Sequence, residues 1–168
     1  QSYEKAIEYF TIAAEQKHSS AQCILASGYY KGFGVQQSYE KALEYYTLAA
    51  EQEDADAQYN MGVLYYHGKG VEQSNEIAWK WWTKAANQGE EKASKILNSS
   101  YENMAERGHI GAQLNLAKRY YNGFGVRQSF DMAAKYLKMA AERGNAFAQH
   151  DLGSMYEEGQ GVPQSYEK

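Results

Sequence analysis

Proline and cysteine are nearly absent from this chain, which has one of each in 168 residues. A single proline means few forced interruptions, so long helices are unhindered. The lone thiol, Cys23, rules out an intrachain disulfide. It suits a reducing compartment such as the cytoplasm and is also compatible with secretory or periplasmic export. No apolar run approaches the ~18 residues that would mark a membrane helix, so direct membrane insertion is not expected. Basic residues are not in excess: Lys plus Arg total 17 against Asp plus Glu at 21, a net charge of -4. The chain therefore has no general attraction to phosphate backbones or anionic lipid, and nucleic acid is not an expected partner. The four histidines, His18, His67, His109 and His150, have no i, i+4 partner and no cysteine pair, so neither metal nor cofactor is expected. The sequence opens within an amphipathic segment, with no signal peptide or initiator methionine, and reads as a soluble fragment.

Tyrosine (16) and glycine (15) are plentiful, and they recur in register. QSYEKAIEYFTIAAEQ (1–16), QSYEKALEYYTLAAEQ (37–52), QSNEIAWKWWTKAANQ (73–88) and QSFDMAAKYLKMAAER (128–143) share one pattern, and QSYEK returns at 164–168. Between them lies a second unit, AQYNMGVLYYHGKGV (57–71), with relatives at 21–35, 112–126 and 148–162. The first three copies of the first unit are 36 residues apart. A fixed period of this size marks a solenoid.

Each unit reads as one helix. In the first, Ala42, Tyr45, Tyr46, Ala49 and Ala50 form a single apolar stripe, with Glu40, Glu44, Thr47 and Glu51 opposite. Ser38 is placed to cap the helix, and Glu40 suits the positive end of its dipole. In the second, Ala57, Met61, Gly62 and Tyr65 share a face, and Gly62 lets two helix axes approach. A Gly-x-Gly-Val loop joins the pair at 32, 68, 123 and 159. Phosphate cradles follow strands, and these loops follow helices, so a turn is expected: the first glycine left-handed, with Val35, Val71, Val126 and Val162 plugging the gap between helices. Gln22, Gln58, Gln113 and Gln149 fall near the buried edge, where an unpaired amide would cost ~1–3 kcal/mol; each should bond backbone in an adjacent turn.

AQYNMGVLYYHGKGVEQSNEIAWKWWTKAANQG and AQHDLGSMYEEGQGV resemble Sel-one-like repeats, relatives of tetratricopeptide repeats, over nearly the whole chain. The resemblance implies an all-α fold, an α/α superhelix (solenoid) of antiparallel helix pairs, that serves as a protein–protein interaction scaffold or adaptor, is not an enzyme, and binds a peptide or protein segment in its concave groove. Along the chain it divides a single array, 1–168, into an orphan second helix (1–20), repeats at 21–54 and 55–90, a shortened irregular repeat at 91–110, a repeat at 111–145, and a repeat start with a truncated end at 146–168. The array reads as a fragment of a longer one, and its cut ends favour head-to-tail self-association. Two alternatives stay open. One is a purely structural self-assembling array. The other is a β-lactam-binding or hydrolysing enzyme, as in cysteine-rich relatives; those carry a cysteine pair in each repeat, and this chain does not.

By the same resemblance, the groove is lined by the second unit's outward columns. One column holds Cys23, Tyr59, Lys95, Leu114 and His150; the next holds Ser27, Val63, Ser99, Lys118 and Ser154; a third holds Tyr30, Tyr66, Glu102, Tyr121 and Glu157, with Asn60, Asn115 and Asp151 beside them. The residues expected to touch a partner are Tyr59, Asn60, Val63, Tyr66, Lys95, Asn115, Lys118 and Tyr121. Tyrosine gives contact area at small entropic cost, and Asn amides can hold an extended backbone. No catalytic set is expected: Cys23 has no base beside it, and Glu157 and Glu158 are adjacent, hence on different sides of a helix. Trp81 and Trp82 coincide with the core columns of Tyr45 and Tyr46, which leaves Trp79 the more exposed. From Ala93 to Ala112 there are only 19 residues and no Gly-x-Gly-Val loop. The expectation there is a short pair broken near NSSYE, because one helix would invert the up-down alternation. Asn98-Ser99-Ser100 is a formal glycosylation sequon.

Overall fold

A computed structural model describes residues 2–161, with the side chain of Ser2 excepted. The described residues form nine α-helices and no strand: α1 (Ser2–Glu15), α2 (Ser19–Lys31), α3 (Tyr39–Glu51), α4 (Ala55–His67), α5 (Asn75–Asn87), α6 (Glu91–Glu106), α7 (Ile110–Asn122), α8 (Phe130–Ala141) and α9 (Ala146–Glu158). We call α2, α4, α7 and α9 A-type, and α1, α3, α5 and α8 B-type. Two compact units divide the chain, residues 1–93 and 94–168.

Helix boundaries follow from side chains that satisfy orphan backbone groups. Ser38, Ser74 and Ser129 stand extended before α3, α5 and α8 and accept from Lys41 N, Ile77 N and Met132 N. Asp54 and Asn145 do the same for α4 and α9, and His18 Nδ1 accepts from Ala21 N at the start of α2. Each A-type helix ends on the first glycine of its Gly-x-Gly loop in left-handed geometry, at φ 73, 65, 74 and 66° for Gly32, Gly68, Gly123 and Gly159. Val35, Val71 and Val126 are half-buried behind these turns; Val162 lies outside the described residues.

In the first unit, α2 packs on α3 and α4 on α5, and the intervening B-to-A contacts join α1 to α2 and α3 to α4. Ala42, Tyr46, Ala49, Ala50, Ala57 and Met61 of the expected stripes are core, joined by Leu64, whereas Tyr45 and Tyr65 are half-buried and pack against the edge of that core. The helix pairs are locked by glutamine. Gln22 Nε2 donates to Ala14 O (3.1 Å) and Gln58 Nε2 to Ala50 O (3.3 Å). Their carbonyls in turn accept from Gln52 Nε2 (2.7 Å) and Gln88 Nε2 (2.8 Å), so two buried amides are satisfied on both atoms. In the second unit Gln113 Nε2 bonds Ala105 O (3.0 Å) and the exposed Gln149 bonds Ala141 O (3.1 Å). All four amides donate to backbone, at the end of the preceding helix eight residues back, but only Gln22, Gln58 and Gln113 are buried; Gln149 is exposed, against the buried edge expected for it. At the position of Gln52 and Gln88 the second unit has Arg143, and the buried Gln113 Oε1 has no partner.

The short segment corrects one expectation. Residues 91–106 form one continuous helix, α6, with no break near NSSYE. Glu90 caps it by accepting from Ala93 N (2.5 Å), as Asp54 does for Ala57. No glycine or proline interrupts it, and Ala93, Leu97, Tyr101 and Ala105 continue one stripe at spacings of four. Its last turns serve as a B-type helix, since Ala105 stands eight residues before Gln113 as Ala50 does before Gln58. α6 thus begins like an A-type helix and ends like a B-type one. At the A-type core position held by Gly28, Leu64 and Met155, α7 carries Arg119. Asn98 on α6 accommodates it: Arg119 Nε donates to Asn98 Oδ1 (2.6 Å) and Asn98 Nδ2 donates to Gly125 O (2.8 Å). Burial pulls the guanidinium pKa down, partly offset by Tyr101.

Candidate functional site

The outward columns of the A-type helices are real surfaces, but they differ between the units. On α4, Tyr59 and Val63 are half-buried, and Lys92 Nζ sits 5.5 Å from the Tyr59 ring centroid. Tyr66 is exposed, its ring 5.4 Å from Trp82 and 5.1 Å from His67. Asn60 Nδ2 donates to Asp56 O (2.8 Å) and Asn115 Nδ2 to Gly111 O (2.9 Å). Both amides thus turn their N–H groups onto their own helices, where they would have to be freed to hold a peptide backbone. Lys95 is exposed on α6. Glu102 leaves the tyrosine column altogether: it accepts from Tyr120 OH (3.2 Å) because α6 follows B-type register at that point. That bond and burial both hold the Tyr120 hydroxyl above its ordinary pKa, burial more strongly.

In the second unit the columns converge. α7 and α9 flank a cavity of about 510 Å³, floored by Leu137 of α8. α7 contributes Leu114, Ala117, Lys118, Tyr121 and Asn122; α9 contributes Phe147, Asp151, Ser154, Met155 and Glu158. Lys118 and Tyr121 were expected here, with Leu114, Asp151 and Ser154 in the same columns. Phe147 and Glu158 were not. Phe147 is 77% exposed, and its repeat equivalents are Ser20, Asp56, Lys92 and Gly111. An aromatic ring where every other copy is polar or glycine was the available signal. Two further depressions of about 550 Å³ lie at the first turns of α3 and α8. They occupy equivalent positions, so they belong to the repeat geometry.

Residues weighed for chemistry are otherwise placed. Burial, reinforced by Asp54 and Asp56, pushes the Cys23 thiol up to about 12, so it is protonated at neutral pH. Trp82 is core, Trp79 and Trp81 are half-buried, and Lys84 Nζ lies 4.6 Å from the Trp81 ring centroid. Asn98 is 8% exposed with its amide nitrogen engaged, so the sequon is closed in the folded chain. Among the described residues no group of three or more His, Cys, Asp or Glu could hold a metal, and no helix is long and apolar enough to cross a membrane.

The family model for the Sel1 repeat matches residues 1–18, 19–54, 55–90, 110–145 and 146–168. It passes over residues 91–109, which include the whole of α6, where the repeat is contracted. Among solved structures, the chain is similar to c5321, a protective antigen of uropathogenic Escherichia coli strains displaying an SLR fold. That match has 31% identity and a TM-score of 0.59, covering 94% of this chain and 37% of the other. It is also similar to a Sel1 repeat protein from Oxalobacter formigenes, at 36% identity and a TM-score of 0.51, covering 98% of this chain and 42% of the other. The chain therefore spans about two fifths of the length of these relatives. No curated protein sequence matches it.

Proposed function

The chain belongs to the Sel1 repeat family, and from that premise we propose that it is a non-catalytic adaptor that holds a peptide or protein segment along the outward columns of its A-type helices. One observation carries the proposal: columns chosen from sequence alone meet, in the second unit, around a 510 Å³ cavity. Its floor is apolar (Leu114, Ala117, Leu137, Met155) and its rim polar and aromatic (Lys118, Tyr121, Asn122, Asp151, Ser154, Glu158). That composition suits side-chain anchoring with polar specificity at the edge. The protonated thiol of Cys23 supports an adaptor over a thiol-dependent hydrolase, because the nucleophile would be the thiolate.

The reading is tested by selecting random dodecapeptides on phage against the immobilised chain. Selected peptides are then titrated by fluorescence anisotropy against the wild type, Tyr121→Ala and Lys118→Ala. Binding should weaken at least about tenfold in Tyr121→Ala, the scale of a central aromatic contact worth ~1.4 kcal/mol or more. Peptides that bind all three proteins alike would refute the groove.

A further inference from the structure

We infer that the cavity between α7 and α9 takes an extended peptide bearing an apolar side chain at one end and a basic side chain about five residues away. This rests on the groove reading above and adds the chemistry of its occupant. The apolar end is set by Phe147, in the first turn of α9, and Leu114 on α7. At the other end stands Glu158, the last residue of α9, beside Tyr121 and Asn122 in the last turn of α7. Two helix C-termini converge there, each with partial negative charge on its final carbonyls, and the Glu158 carboxylate adds a full charge. Among the described residues no cation pairs with Glu158. A basic side chain of the ligand fits that place.

Spacing sets the register. Phe147 and Glu158 are eleven residues apart on one helix, about 16 Å at ~1.5 Å per residue. An extended peptide advances ~3.3 Å per residue, so about five residues separate its two anchors. Lys118 is the repeat equivalent of Ser154 and lies seven residues along the same axis from Phe147, about 10 Å. It stands level with the third residue of the ligand, and Asp151, also in the lining, stands about one turn nearer Phe147, so opposite charges alternate along the cavity. The cavity therefore reads the order of charges along a peptide as well as their sum.

The probes are fluorescein-labelled nonapeptides in a Gly/Ser background, with Leu and Arg five positions apart in both orders, and the same peptides with Glu replacing Arg. With the full chain, the better Arg peptide should bind about fivefold tighter than its Glu counterpart, the scale of a rim charge pair worth ~1 kcal/mol. Glu158→Lys should reverse that order. Phe147→Ala, at an exposed position that leaves folding intact by far-UV circular dichroism, should weaken both peptides. Equal affinity for Arg and Glu peptides, lost in Phe147→Ala, would overturn the charge assignment while the groove stands. Binding unchanged in Phe147→Ala and Tyr121→Ala would overturn the groove as well. Failure of every probe to bind would overturn the inference.

Discussion

Gly62 and Gly153 occupy the same position of the repeat, five residues after the alanine that opens each A-type motif, yet they should respond to alanine in opposite ways. A Cβ at Gly62 would overlap Nε1 and Cδ1 of Trp82 and lie 2.8 Å from Cε2; at Gly153 it would meet nothing within 4 Å. Trp82 is buried and cannot swing clear without losing the bond from its Nε1 to Tyr59 O (3.1 Å). Forcing a methyl into a packed site costs about 1–3 kcal/mol. Losing the indole hydrogen bond costs about 1 more, and the better helix propensity of alanine returns about 1. Gly62→Ala should therefore destabilise the first unit by about 2 kcal/mol, whereas Gly153→Ala should stabilise the second by up to ~1 kcal/mol. Chemical denaturation separates the two. Trp79, Trp81 and Trp82 all lie on α5, so tryptophan fluorescence reports the first unit, and far-UV circular dichroism reports both. Shifts of the same sign in the two variants, or a Gly62→Ala midpoint at or above wild type, would refute the argument from packing.

Three further outcomes follow from single groups. Arg143→Gln should raise the melting temperature of the second unit by an amount corresponding to about 1 kcal/mol, by giving Gln113 Oε1 the donor that Gln88 gives Gln58; an unchanged or lower value in thermal circular dichroism would count against the glutamine lock. With its thiol held near 12 against an ordinary 9.0, Cys23 should be alkylated by iodoacetamide at pH 8 about a thousandfold more slowly than free cysteine. Since the protonated form is the one the fold favours, this contribution to stability is full below pH 9 and is lost as pH rises towards 12. Asn98→Ala should destabilise by about 2 kcal/mol, because Arg119 Nε and Gly125 O both lose their partner; an unchanged midpoint in urea denaturation followed by far-UV circular dichroism would count against that bridge.

Much of the fold was legible because each repeat restates the same physical demands. Ser38, Ser74 and Ser129 cap helices in sequence-equivalent places, and four glutamines at one position bond the carbonyl eight residues back, so each copy checks the others. Where a copy is damaged, that redundancy misleads. The letters of Ser100-Tyr101-Glu102 echo a helix start, but the serine lies in mid-helix, since no loop precedes it and the stripe from Ala93 to Ala105 runs through it unbroken. Periodicity outweighs local echo there because burying a continuous stripe outweighs the ~1 kcal/mol of one cap. The candidate site was legible to the same extent. Lys118 and Tyr121 could be found by column, whereas Phe147 departs from its column, and a method that looks for what repeats passes over it. In a repeat protein the core is written by what recurs and specificity by what does not. Arg119, an arginine in a column of Gly, Leu and Met, makes the same point from the inside: it became explicable only with Asn98 and the contracted helix that carries it.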